Sequence, residues 1–286
     1  MTFNRAAGMV FLGLALLLGC GKNLGQALFH VTVEKRAQES LSGVVPVPSP
    51  ISLHDPTSFR FAVFGDVQIR AENKNMLSVF KNEVTNRNID FFVVLGDLTE
   101  DGTNQELSEI KSDLDQVGAP YYATIGNHDL FQSTPAGGWD TWKSTFGSAT
   151  YSVTLGNAVR IILLDTATGD IGATQFDWLE SQLKTRVPFT LVGSHYPVND
   201  GQIPSIWRLE SVEERYKLTG LLNRYGVYAY VGGHVHGYRQ ELVGRNLLHF
   251  TIGSMYPYAL DFGKRGYVLF AYDHGQLTWQ RIELPD

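Results

Sequence analysis

Five short blocks of the sequence place a carboxylate, amide or imidazole close behind a glycine: Gly65-Asp66-Val67-Gln68, Gly96-Asp97, Gly126-Asn127-His128-Asp129, Gly193-Ser194-His195 and Gly233-His234-Val235-His236. Each follows an apolar run, so each reads as a strand end leading into a tight turn. Their side chains offer oxygen and nitrogen donors, a mixture that suits Mn, Fe, Zn or Co without choosing among them. The single cysteine of the 286 residues excludes a thiolate-rich metal site and a disulfide framework alike. Taken singly, a Gly-Asp step is commonly a turn whose aspartate bonds its own backbone. A lone histidine is commonly a core or surface residue, the reading given to His30, His54, His249 and His274. Recurrence at successive strand ends points instead to one shared crevice, because the carboxy-terminal strand ends of an open α/β sheet converge on one edge.

The elements that must position these blocks follow from periodicity. Apolar runs rich in β-branched and aromatic residues predict strands at Phe59 to Phe64, Phe91 to Leu95, Tyr121 to Ile125, Arg160 to Leu164, Phe189 to Val192 and Val227 to Val231. Helical spacing lies between them: Met76, Phe80 and Val84; Leu107, Ile110, Leu114 and Val117 after a Thr103/Glu106 capping box; Phe176, Leu179 and Leu183; Leu218, Leu221, Leu222 and Tyr225. A hairpin turns at Gly156-Asn157, and beyond residue 238 strands dominate, at Tyr238 to Val243, Leu247 to Ile252, Gly266 to Tyr272 and Leu277 to Ile282. The expected fold class is α/β, with a large mixed β structure packed as two sheets face to face.

With the blocks and their order in view, the sequence resembles the calcineurin-like metallophosphoesterases, over roughly residues 59 to 255. The blocks correspond to that family's DxH, GD, GNHD, H and GHxH motifs, and Thr150-Tyr151-Ser152, Ile162 to Thr166 and Gln175 to Leu183 resemble its connecting segments. The resemblance implies a two-sheet β-sandwich flanked by helices, a four-layer αββα arrangement, and two divalent metal ions. Such ions, roughly 3.5 to 4 Å apart, clamp the attacking and leaving oxygens of an in-line displacement at phosphorus and acidify a shared water. By resemblance Asp97 bridges them, Asp66 and His236 serve the first ion, and Asn127, His195 and His234 the second. His128 would face the scissile phosphate, with Asp129 orienting its ring.

Gln68 stands where most members carry a histidine on the first metal. An amide oxygen can coordinate a hard cation, as in manganese-dependent branches of the superfamily, which makes Mn the favoured ion. Alternatively Gln68 does not ligate and the first site is weak. The substrate is expected to be a small phosphoester, with a nucleotide-like phosphodiester preferred. Trp139 and Trp142, and after His195 the residues Tyr196, Trp207 and Arg208, could stack a base and hold a phosphate, or simply pack their own loops. A catalytically silent lipoprotein that keeps the fold as a binding module is the competing class. The nearly intact ligand set argues against it, since buried carboxylates and histidines cost stability when nothing neutralises them.

Composition sets the remaining bounds. With 43% hydrophobic and 18% charged residues the chain can bury a sizeable core, and a net charge of -6 gives no footprint for bulk nucleic-acid binding. Arg5 precedes an apolar run from Met9 to Leu18, far shorter than the roughly 20 residues that span a bilayer. Leu17-Leu18-Gly19-Cys20 resembles a bacterial lipobox, so residues 1 to 19 read as a lipoprotein signal peptide and Cys20 as the lipid attachment point. That expectation places the protein in the bacterial cell envelope, membrane-anchored through the lipid, at the outer membrane or periplasm of a Gram-negative source. Residues 20 to 57, with Pro46, Pro48, Pro50 and Pro56, read as an extended tether, and 58 to 286 as one phosphoesterase domain.

Overall fold

In β1 (Ser58–Phe64) the side chains of Phe59, Phe61 and Val63 enter one core while Ala62 and Phe64 enter another, and β2 (Phe91–Leu95) alternates likewise. A strand apolar on both faces must be covered on both. The structure, a computed structural model, describes residues 31–68, 75–131, 137–201, 207–256 and 264–285. The expected signal peptide, Cys20 and His30 lie outside them. Among the described residues no helix is long and apolar enough to cross a membrane.

The other strands are β3 (Tyr121–Thr124), β4 (Tyr151–Leu155), β5 (Val159–Leu164), β6 (Phe189–Ser194), β7 (Ala229–Gly232), β8 (Arg239–Val243), β9 (Leu247–Thr251), β10 (Gly266–Asp273) and β11 (Gln276–Glu283). One sheet runs β11-β10-β1-β2-β3 and the other β4-β5-β6-β7-β9-β8. Phe59, Phe61, Phe91, Val93 and Leu95 of the first meet Ile161, Leu163, Leu191, Val231 and Phe250 of the second in the central core. On the outer face of the first sheet lie α2 (Asn75–Arg87), α3 (Asn104–Asp115) and α4 (Gly137–Thr145), through Phe80, Leu107, Ile110 and Trp142. On that of the second lie α5 (Ala173–Leu183) and α6 (Val212–Arg224), through Phe176, Leu179, Leu218 and Leu222. The four-layer αββα expectation is met.

What matters for the site is strand direction. β1, β2 and β3 are parallel, as are β5, β6, β7 and β9, so their carboxy-terminal ends collect along one edge. Local signals place them: the Thr103/Glu106 capping box opens α3, and the Gly156-Asn157 turn has both φ near +55°, as a tight hairpin demands.

Within the expected tether, residues 20 to 57, the stretch 33 to 41 is not extended chain. Val33–Leu41 is a helix, α1, and its inward positions Val33, Arg36, Ala37 and Ser40 are buried. The Arg36 guanidinium, fully buried, donates to both Asp165 oxygens at 2.6 and 3.0 Å, to Thr168 Oγ1 at 3.2 Å and to the Val31 carbonyl. Glu34 accepts from the backbone N–H groups of Ala173 and Thr174 at the start of α5, and Glu39 accepts from Trp139 Nε1 at 2.8 Å. Further on, the Pro46 carbonyl accepts from Ser148 N at 2.8 Å. Polar side chains that would suit a solvated spacer are used here as internal connectors. Trp139 and Trp142 are core residues of α4, which leaves them no part in substrate contact.

Candidate metal centre

Each of the five blocks sits just past a strand end: Asp66 and Gln68 after β1, Asp97 after β2, Asn127 and His128 after β3, His195 after β6, His234 and His236 after β7. The turns are laced together by backbone bonds, Asp66 N to Gly96 O at 3.0 Å, Gln68 N to Asp97 O at 2.9 Å and Gly233 N to His195 O at 2.8 Å. Five of these residues adopt left-handed backbone: Asp66 (φ 52°), Gln68 (41°), Asp97 (51°), His234 (67°) and His236 (58°). Non-glycine residues rarely take this conformation, and where they do the surroundings hold them in it. The approach is also close. A Cβ on Gly126 would lie 2.2 Å from both the N and Oδ1 of Asp97, so only glycine lets β3 come this near.

The side chains form one cluster. His195 Nε2 is 3.2 Å from Asp97 Oδ2, 2.9 Å from Asn127 Oδ1 and 3.1 Å from His234 Nδ1. Asp97, His195 and His234 present donor atoms within 4.8 Å of one another, the geometry a metal ion needs. Beside them His236 Nε2 is 3.4 Å from Asp66 Oδ1, and both Asp66 oxygens accept from His234 N at 3.0 and 3.1 Å. Asp66, Gln68, Asp97 and His195 are buried, while Asn127, His128, His234 and His236 are half-buried and open the cluster to solvent. Among the described residues His236 Nδ1, which is buried, has no hydrogen-bond partner, a costly state for a polar atom unless it has a ligand to bind. With carboxylates, imidazoles and an amide converging, the residues present fit divalent cations.

Electrostatics agree with that use. Burial drives the Asp97 carboxyl up, but His195, with His128 and His234, outweighs it and holds the group ionised. Burial pushes His195 down while Asp97 raises it, to about 9 on balance. Burial and the neighbouring His195 drive His234 well down, leaving the neutral imidazole a metal needs. A cation held by His195 would have to displace its proton, so below about pH 9 its affinity should rise roughly tenfold per pH unit. Chelator competition between pH 6 and 8, corrected for the chelator's own protonation, measures that slope, and a flat profile would show that His195 carries no proton to displace. In EDTA the sign reverses. The raised His195 pKa contributes stability that is fully present below its unfolded value, about 6.5, and lost as pH rises through about 9.

His128 stands beside the cluster, its backbone N–H donating to Asp97 Oδ1 at 2.9 Å, but Asp129 does not orient its ring as expected. His128 Nδ1 pairs with the Glu100 carbonyl at 2.7 Å. Asp129 instead accepts from Leu98 N, Thr99 N, Thr99 Oγ1 and Gly126 N at 2.9 to 3.0 Å. Fully buried, it fixes the Asp97 and Asn127 turns rather than the imidazole. The Glu100 carbonyl was invisible in the sequence because a backbone atom has no residue signature. Ser254, whose Oγ donates to the Asp66 carbonyl at 2.8 Å, was also missed; its Gly253-Ser254 step after β9 repeats the signal of the other blocks.

Around the cluster stand aromatic rings. Tyr196 stacks on His234 at 3.9 Å between centroids, Trp207 lies 5.7 Å from His234, Tyr256 5.8 Å from His236 and Phe131 4.4 Å from His128. Arg208 is half-buried beside Arg215, whose guanidinium burial and then Arg208 push down. His249 is a buried core residue, its Nε2 accepting from Val198 N at 3.3 Å. His274 is exposed and paired with Asp273.

The sequence model of the calcineurin-like phosphoesterase family matches residues 59–238, more than half of the chain and every block described above. The chain belongs to that family. A probable purple acid phosphatase of Arabidopsis thaliana is 30% identical over 207 residues, covering 65% of this chain and 47% of that protein. A probable cyclic nucleotide phosphodiesterase of Synechococcus sp. is 32% identical over 127 residues, 42% of this chain and 47% of the other. The purple acid phosphatase of yellow lupin seeds shares the fold, with a TM-score of 0.64 at 17% identity, over 84% of this chain and 53% of that one. The chain thus spans about half the length of the curated relatives it matches. Divalent metal binding follows from the family fold and the ligand cluster together.

Proposed function

We propose that this chain is a metal-dependent phosphoesterase that hydrolyses a small phosphate monoester or diester, a nucleotide-like diester by preference, at a centre of two divalent cations. The observation that carries this reading is the convergence of Asp97, His195 and His234 within 4.8 Å, with Asp66 and His236 in contact beside them. Asp66, Gln68 and His236 would hold one cation, Asn127, His195 and His234 the other, and Asp97 both. The backbone bonds from Asp66 and Gln68 to the Gly96-Asp97 turn support the shared role of Asp97, since they bring the first set against it. When bound, such cations polarise the phosphoryl oxygen and acidify a water. His128, its Nδ1 engaged by the Glu100 carbonyl, has Nε2 left to hold the proton for the leaving oxygen. The preference for a diester rests on the Synechococcus relative's name and on the aromatic rings at the cluster. Attachment to a bacterial envelope membrane through lipid on Cys20 belongs to the same reading.

Purified protein loaded with Mn, Fe, Zn or Co and assayed on bis(4-nitrophenyl) phosphate tests it; no metal-dependent hydrolysis of this or any monoester would refute it. Mn is the expected best activator, because the Gln68 amide oxygen makes the first site harder than an imidazole would. Gln68→His should raise activity with Zn or Fe relative to Mn, and Gln68→Ala should leave roughly one ion per chain. Two retained ions and the same metal ranking in Gln68→Ala would remove Gln68 from the ligand set.

A further inference from the structure

Trp207 is the most exposed of the rings described around the cluster. The residue is 40% exposed, although a tryptophan gains more than almost any residue from burial. Its own backbone and the chain after it are tied down. Trp207 N donates to Asp200 at 2.7 Å, and Leu209, fully buried two residues on, donates its N–H to the Pro197 carbonyl at 3.0 Å. The ring lies 5.7 Å from His234, whose own ring is stacked on Tyr196. At a second margin Phe131, 37% exposed, packs on His128. Two exposed aromatic rings thus stand beside two different polar groups of one site, where a small phosphate alone would need none.

We propose that Trp207 is the specificity platform of this site and that the ester's alcohol carries a planar aromatic group, a nucleoside, whose base stacks on the indole. The inference rests on the phosphoesterase reading and adds to it the substrate group and the residue that selects it. The physical warrant is general. Every base has a π-face, stacking tolerates different bases, and a rigid aromatic loses little entropy when it binds. A base on Trp207 would bring its phosphate toward His234 and so toward the cation cluster. Phe131, on His128, would line the side where the leaving oxygen takes its proton.

The test compares two diesters that differ only in the base, the methyl esters of adenosine 5′-phosphate and of ribose 5-phosphate, on the full-length Mn-loaded protein. Wild type should favour the adenosine ester in kcat/KM by about tenfold, most of it in KM, the size that one stacked base supplies. In Trp207→Ala the ratio should fall to near one and in Trp207→Phe it should be partly kept. Leu242→Ala, an exposed apolar residue on β8, should keep the wild-type ratio. The methyl ester of phosphotyrosine separates the two sources of an aromatic group: equal dependence on Trp207 assigns the platform to aromatic esters in general, and dependence confined to adenosine assigns it to nucleosides. Equal kcat/KM for adenosine and ribose esters in wild type, or an unchanged ratio in Trp207→Ala, would overturn the inference while leaving the phosphoesterase reading standing. No hydrolysis of any of the three would overturn the inference, and no hydrolysis of any monoester besides would overturn the phosphoesterase reading as well.

Discussion

Asp97→Asn is expected to lower turnover by at least about a hundredfold and to strip bound cations from the protein. The substitution isolates charge from fold. Asn is tolerated in the left-handed conformation that Asp97 adopts at φ 51°, and its amide oxygen can still accept from His128 N, as Asp97 Oδ1 does at 2.9 Å. What it removes is the carboxylate facing His195 at 3.2 Å, the one group expected to serve both cations. Circular dichroism and thermal unfolding in EDTA should show a folded variant. Atomic-emission analysis should show fewer than two ions per chain. Full metal occupancy with wild-type turnover would exclude the shared-ligand role.

Arg36→Ala should destabilise the protein by about 3–5 kcal/mol, the usual result of removing one partner of a buried ion pair. The reason is local. Arg36 and Asp165 are both fully enclosed, and without the guanidinium the Asp165 carboxylate keeps Ala167 N, at 3.1 Å, as a donor but loses its counter-charge. For a domain of this size the loss corresponds to a fall in Tm of roughly 10 °C. Arg36→Lys should recover little, because an ammonium cannot reproduce the paired donation to the two Asp165 oxygens. Unfolding monitored by calorimetry reads the effect. An extended spacer at residues 33–41 would give no change. The neighbouring Thr166 Oγ1 accepts from Tyr196 N at 2.8 Å, and Tyr196 stacks on His234, so the same variant should loosen the cluster's outer wall.

These two residues differ in how far their surroundings could be read from sequence. Around Asp97 nearly everything was legible: apolar runs long enough for strands, glycine at each turn, and ligand-type residues at every turn's end. A parallel sheet then leaves them little choice of where to meet. The left-handed backbone at Asp66, Gln68, Asp97, His234 and His236 was not legible, because aspartate, glutamine and histidine carry no glycine-like mark of it. Around Arg36 the reading failed. A nine-residue helix with four inward positions, one of them an arginine, looks like solvated chain until Asp165 appears opposite it. Its stability comes from tertiary partners, which short-range periodicity does not record. The partner of His128 was hidden for a related reason. Asp129 is adjacent in sequence, yet its carboxylate is consumed by backbone donors 30 residues away, and a main-chain carbonyl takes the imidazole instead.

The most direct measurement is the number and position of divalent cations in catalytically active protein, by metal analysis paired with anomalous scattering from Mn-loaded crystals. Two ions per chain are expected, one among Asp66, Gln68 and His236 and the other among Asn127, His195 and His234, with Asp97 touching both. Full phosphoesterase activity with a single ion, or with ions bound away from Asp97, would contradict the two-cation centre.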